Sequence, residues 1–188
     1  MSARTHLRAG RVRLARSPIS TFGAVFALLS AATVGSAFAF AIVPPLGAAA
    51  ELWIGDRLQL YPHAVPTVEA AVATLVYNVR VAIWPLVLVA LGCHRDRDLR
   101  VLGNALVSGF LLVNAALVGA AGAVGGVDLL PYLIHLPVEW AALALVSTAW
   151  FHASATGPTR NQAVELVVGF LLLLAGAAVL ETWAVPHL

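Results

Sequence analysis

The sequence predicts an all-α protein, a polytopic transmembrane helical bundle of about five spans, with the N-terminus inside and the C-terminus outside. Three observations lead there. Of the 188 residues, 61% are hydrophobic and only 11% are charged, with a mean hydropathy of +0.90, whereas water-soluble domains carry about 25% charged residues. A water-soluble fold of this size has too little interior for so much apolar side chain, which argues against a soluble enzyme and against a nucleic-acid binder. The apolar residues also lie in runs long enough to cross a bilayer, which takes roughly 20 residues. Finally, the basic residues, all arginine, are clustered, and five of them (Arg4, Arg8, Arg11, Arg13 and Arg16) precede the first run.

Residues 1–20 read as a basic cytoplasmic tail and residues 21–188 as a single transmembrane helical domain. The first span, near 21–43, carries no charge. Its basic lead and the small residues Ser36-Ala37-Phe38-Ala39 also allow a cleaved signal peptide, which would leave four spans. The second, near 67–92, contains Glu69 and Arg80; the third, near 101–127, is uncharged. The fourth, near 129–151, holds His135 and Glu139, and the fifth, near 163–185, holds Glu165 and Glu181. With no water to satisfy the backbone, helices are the expected form, and the two-residue alternation of barrel strands is absent.

Arginine sets the orientation. The tail, the link with Arg95, Arg97 and Arg100, and the link with Arg160 alternate onto one side, the cytoplasm. The opposite side receives residues 44–66 with a single arginine, Arg57, and the turn at 125–128. There, 51–58 suit an interfacial turn or short helix, and Trp53, Tyr61, Tyr132 and Trp183 form an aromatic belt. Ala31-x-x-x-Gly35, Ala115-x-x-x-Gly119 and Gly122-x-x-x-Gly126 let helix backbones approach closely in lipid, within the chain or between copies. Pro85 and Pro137 are expected to kink their spans.

Ionisable groups inside a bilayer are functional candidates by default. At 1.5 Å per residue, Arg80 lies roughly 20 Å from the outer end of its span, Glu139 roughly 15 Å, His135 roughly 9 Å and Glu181 roughly 7 Å. Glu69 is shallower still, and Asn78 and Asn114 lie near the middle. The expected intramembrane polar cluster is therefore Glu69, Asn78, Arg80, Asn114, His135, Glu139 and Glu181. Three readings of it stand open. In a structural network, Glu139 neutralises Arg80, and Arg80→Leu partly rescues Glu139→Gln. In a proton or substrate path, His135 beside a carboxylate titrates near neutral pH. In a metal site, His135, Glu139 and Glu181 hold zinc, although the two-histidine zincin pattern is missing. No nucleophile motif, phosphate loop or dinucleotide fingerprint occurs. The single cysteine, Cys93, excludes an internal disulfide and a thiolate metal cluster.

The segments Tyr77-Asn78-Val79-Arg80, Asn114 with Gly119 and Gly122, Ile134-His135-Leu136-Pro137-Val138-Glu139-Trp140 and Leu180-Glu181-Thr182-Trp183 resemble the stage II sporulation protein M family of bacterial membrane proteins. The likeness runs from about residue 66 to the C-terminus. Leu136 stands where the family often has glycine, and Tyr77-Asn78 where it often has paired asparagines. The resemblance implies a non-enzymatic, multi-pass subunit of the bacterial cytoplasmic (inner) membrane. It would act as a scaffold or a permease-like component beside other membrane or envelope proteins, an ATPase among them, or as a homo-oligomer. It implies no catalytic residue; His135, Glu139 and Glu181 are signature positions only. No cofactor, bound metal or nucleic-acid partner is expected, and the lipid bilayer is the obligate surrounding. The alternatives are a small proton-coupled transporter or channel using the Arg/His/Glu cluster, and an intramembrane metalloenzyme built on His135-x-x-x-Glu139.

Overall fold

The computed structural model describes residues 17–52, 66–156 and 160–184, and among them every regular element is helical. Three helices are long and apolar enough to cross a membrane, or four if one bent pair counts as a single span. The expectations for the tail before residue 17, for 53–65 with Trp53, Arg57 and Tyr61, and for residues 157–159 lie outside the described residues.

Helix α1, Pro18–Ile42, starts where Ser17 caps it: the Ser17 side chain accepts from the Ser20 N–H, and Pro18 supplies a preset φ at the first turn. Its 25 residues reach about 38 Å, enough for a hydrocarbon core of about 30 Å. A short helix α2, Pro44–Ala50, follows. Helix α3, Val68–Ala82, is capped by Thr67, which accepts from the Ala70 N–H at 3.1 Å. The kink expected at Pro85 is a full break: α3 and α4, Trp84–Ala90, meet at 51°. Pro85 has no N–H for the Val81 carbonyl and its ring would strike that carbonyl, so the helix restarts with Pro85 in its first turn.

The chain then reverses at Gly92, whose φ of +74° favours glycine. The Cys93 N–H reaches back to the Leu88 carbonyl at 3.1 Å, closing the end of α4. Helix α5, Arg97–Gly125, begins four residues before the expected span. The Asp96 carboxylate accepts from the N–H groups of Asp98 and Leu99, both at 2.9 Å, so a strong cap carries the helix through its charged first turn.

The fourth expected span is corrected. It is not one helix from residue 129. A 3-10 helix, Gly126–Leu133, comes first, and α6, Leu136–Thr156, starts afresh with the His135 carbonyl accepting its first bonds. Pro137 therefore kinks nothing: it sits in the first turn, where a missing N–H costs no bond. Helix α6 also falls outside the helices apolar enough to cross a membrane unaided. Its composition goes with its position. It runs through the middle of the bundle, with Trp140, Ala142, Leu143, Ala144, Val146, Ser147, Thr148, Ala149, Trp150 and Ala153 all buried, so neighbouring helices cover it. Helix α7, Arg160–Trp183, matches the fifth expected span.

Helix α1 packs on α5 and α6, α7 on α6 and α3, and α4 on α6. The core joins Val25 and Leu29 of α1, Val107 and Leu111 of α5, and Phe170 and Leu174 of α7 to the α6 residues. The outer faces stay apolar: Leu28, Phe38, Leu106, Leu112, Val164 and Leu172 are exposed, as lipid-facing positions would be. Ala115 and Gly119 form an intrachain contact with α1: the Ser36 hydroxyl donates to the Ala115 carbonyl at 3.1 Å. Gly35 and Gly122 face no neighbour within 4 Å of where a Cβ would stand.

Candidate functional site

Polar side chains meet at one end of α6. His135 stands at the residue that opens α6, and Glu139 follows one turn later on the same face. Asn78 comes from the middle of α3, and Glu181 from the last turn of α7. One ligand atom each from His135, Glu139 and Glu181 can be chosen so that all lie within 4.8 Å of one another. The Asn78 amide Nδ2 donates to Glu139 Oε1 at 2.7 Å. The His135 Nε2 to Glu139 Oε2 separation is 3.8 Å, too long for a hydrogen bond. Both side chains are mostly buried, 16% and 23% exposed, and the His135 Nδ1 atom is buried with no hydrogen-bond partner among the described residues. A cavity of about 440 Å³ opens on the group, lined by Ala73, Thr74, Tyr77, Asn78, His135, Glu139 and Glu181.

Four of the seven expected cluster residues therefore come together, and three do not. Arg80 is exposed and makes no ion pair with Glu139 among the described residues. Equal depth is not equal direction: two residues along a helix is about 200° of rotation, so Arg80 points away from the face that carries Asn78. Glu69 is exposed in the first turn of α3, nine residues from Asn78 and about 180° round the helix. The Asn114 amide is spent within α5, donating to the Phe110 carbonyl at 2.8 Å. Thr74 and Tyr77 line the cavity although depth alone did not single them out; the signal was their spacing, since Thr74 with Asn78 and Ala73 with Tyr77 are four-residue pairs along α3.

The site therefore holds two carboxylates and an imidazole, with no lysine or arginine lining the cavity among the described residues. Buried charge needs a partner, and no lysine or arginine among the described residues of the lining offers one, so a proton or a metal cation would supply the balance.

The pairing can be tested by a double-mutant cycle read as melting temperature in detergent. Glu139→Gln and Arg80→Leu should be additive within about 0.5 kcal/mol, as independent sites are. Asn78→Leu and Glu139→Gln should couple by about 0.5–3 kcal/mol, as contacting residues do. Rescue of Glu139→Gln by Arg80→Leu would restore the arginine pairing that the geometry removes.

A second cavity, about 560 Å³, lies at the other end of α6, between the α4–α5 turn and the start of α7; its lining includes His94, Arg95, Arg100, Ser154 and Ala163. It brings the arginines of that turn alongside the connection from α6 to α7. No carboxylate among the described residues lines it, and the C-terminal ends of α4 and α6, which carry partial negative charge, face the same region. Arginine there complements helix ends and needs no ligand. Cys93, in this turn, is a free, partly buried thiol.

Comparison with protein-family models, with curated proteins and with solved structures gives no match. The resemblance to stage II sporulation protein M thus rests on the residues quoted for it.

Proposed function

We propose that this protein is a non-enzymatic, permease-like integral membrane subunit that passes a cation, in the simplest case a proton, through the pocket between α3, α6 and α7. One observation carries the reading: His135, Glu139, Glu181 and Asn78 converge from three helices on a cavity with no lysine or arginine among the described residues of its lining. A structural network would be expected to neutralise itself with Arg80, and this one leaves Arg80 outside. The broken helix adds support. Membrane transport sites commonly sit beside discontinuous helices, and the α3–α4 break lies only five residues, about 7.5 Å, beyond Asn78.

In this reading the chain crosses the bacterial inner membrane five times, N-terminus inside and C-terminus outside. The arginine-bearing turn at 91–96 and the start of α7 share one end of the bundle, as that orientation requires; the polar pocket then opens toward the outer half. Helix α6 is the central span, shielded by the others. A role within a larger assembly, with an ATPase or envelope proteins as partners, is supported by the family resemblance.

Reconstituted vesicles under a pH gradient test the proposal. Wild-type protein should dissipate the gradient faster than protein-free vesicles. Glu181→Gln and His135→Ala should reduce the rate to the protein-free level, while Glu69→Gln, exposed and away from the pocket, should leave it unchanged. A wild-type rate equal to that of empty vesicles, or full activity in both pocket variants, sinks it.

A further inference from the structure

We propose that the pocket binds one divalent transition-metal ion, zinc by chemistry, through a nitrogen of His135 and one carboxylate oxygen each from Glu139 and Glu181. This names the cation class of the site and rests on reading the pocket as cation-binding. Zinc holds nitrogen and oxygen ligands at about 2.0–2.2 Å, so ligand atoms round one ion stand roughly 3.4 Å apart in a tetrahedron. The three groups already lie within 4.8 Å of one another. Small side-chain rotations of the two glutamates close the difference.

Several features point to a metal rather than to a chance meeting of acids. The charges balance: a 2+ ion, two carboxylates and a neutral imidazole sum to zero, the state an apolar surrounding favours. The imidazole selects against calcium and magnesium, which take oxygen ligands, and in favour of zinc and its neighbours. Asn78 engages Oε1 of Glu139 at 2.7 Å, which fixes the carboxylate and leaves Oε2 for the ion, the role of a supporting hydrogen bond behind a metal ligand. The His135 Nε2 atom, 3.8 Å from Glu139 Oε2, is the nitrogen on the carboxylate side and the one placed to meet the ion. The cavity beside the three ligands has room for a water in the fourth position.

The test uses the full chain without a histidine tag, purified in detergent, stripped with chelator and dialysed against zinc or cobalt. The expected result is one zinc per chain by elemental analysis and, with cobalt, the visible absorption of a four-coordinate ion. His135→Ala and Glu181→Gln should lose the metal and Glu69→Gln should keep it. Asn78→Leu should weaken binding by about 10–100-fold, as loss of a supporting hydrogen bond does. His135→Cys guards against a folding artefact: a thiolate is a zinc ligand, so this variant should still bind and should add a sulfur-to-cobalt charge-transfer band. Monodisperse wild-type protein that retains no zinc overturns the proposal, as does full zinc content in His135→Ala. Proton flux without zinc binding overturns the metal and leaves the permease reading standing. Zinc binding without any cation flux does the reverse.

Discussion

Trp150→Ala should cost the bundle about 3–5 kcal/mol, the range for truncating a buried tryptophan, read as a fall in melting temperature in detergent. Trp150 is fully buried near the C-terminal end of α6. Its ring lies where a Cβ on Gly103 of α5 would stand, so the glycine is what lets the indole in. Its Nε1–H donates to Asn104 Oδ1 at 2.9 Å. Within a bilayer the lipid chains are as apolar as the core, and helices are held by close packing and interhelical hydrogen bonds. Trp150 provides both at once. Trp150→Phe separates them: it keeps most of the ring but removes the hydrogen bond to the exposed Asn104, and should cost about 0.5–1.5 kcal/mol. Wild-type stability in Trp150→Ala would mean that α5 and α6 are not packed as described.

Gly119 is the second sensitive point, and a small side chain is enough to show it. A Cβ there would run into the Ser36 hydroxyl, and would also come within 2.7 Å of the Thr33 carbonyl oxygen and 2.8 Å of the Ala37 nitrogen. The last two are backbone atoms of α1 and cannot swing aside. Gly119→Ala should therefore lower stability by about 1–3 kcal/mol, the usual cost of overpacking, and Gly119→Leu should separate α1 from α5. Adding Ser36→Gly should not restore Gly119→Ala, because the backbone clash remains. Gly122→Ala, one turn on, meets nothing within 4 Å and should be tolerated. Thermal melts of the four variants check this; equal behaviour of Gly119→Ala and Gly122→Ala would contradict the crossing.

These two contacts show what the sequence could and could not disclose about packing. The small-residue spacing at Ala115 and Gly119 was visible in the primary structure, but so was the spacing at Gly35 and Gly122, where no neighbour comes within 4 Å of a would-be Cβ. Composition marks where close approach is allowed; the partner helix decides where it occurs. The same holds for the polar groups. His135 and Glu139 were legible as a pair because one helix carries both, four residues apart. Glu181 joined them through depth. Arg80 and Glu69 failed because depth ignores the direction in which a side chain leaves its helix. Thr74 was passed over because it is uncharged, and Tyr77 entered only through the resemblance; their four-residue spacing along α3 gained meaning only when α3 was set against α6 and α7.

The helical character of this chain and the extent of most of its helices follow from local chemistry in the sequence. Long apolar runs must satisfy their own backbone, side chains at Ser17, Thr67 and Asp96 cap the helices that follow, and Pro85 interrupts one of them. Such effects act over a few residues, and neighbouring letters suffice to predict them. The central place of α6, the exclusion of Arg80 and the meeting of Asn78, His135, Glu139 and Glu181 were decided only when the helices packed. They depend on rotation about each helix axis and on which helices become neighbours, and both are settled by contacts between residues tens of positions apart.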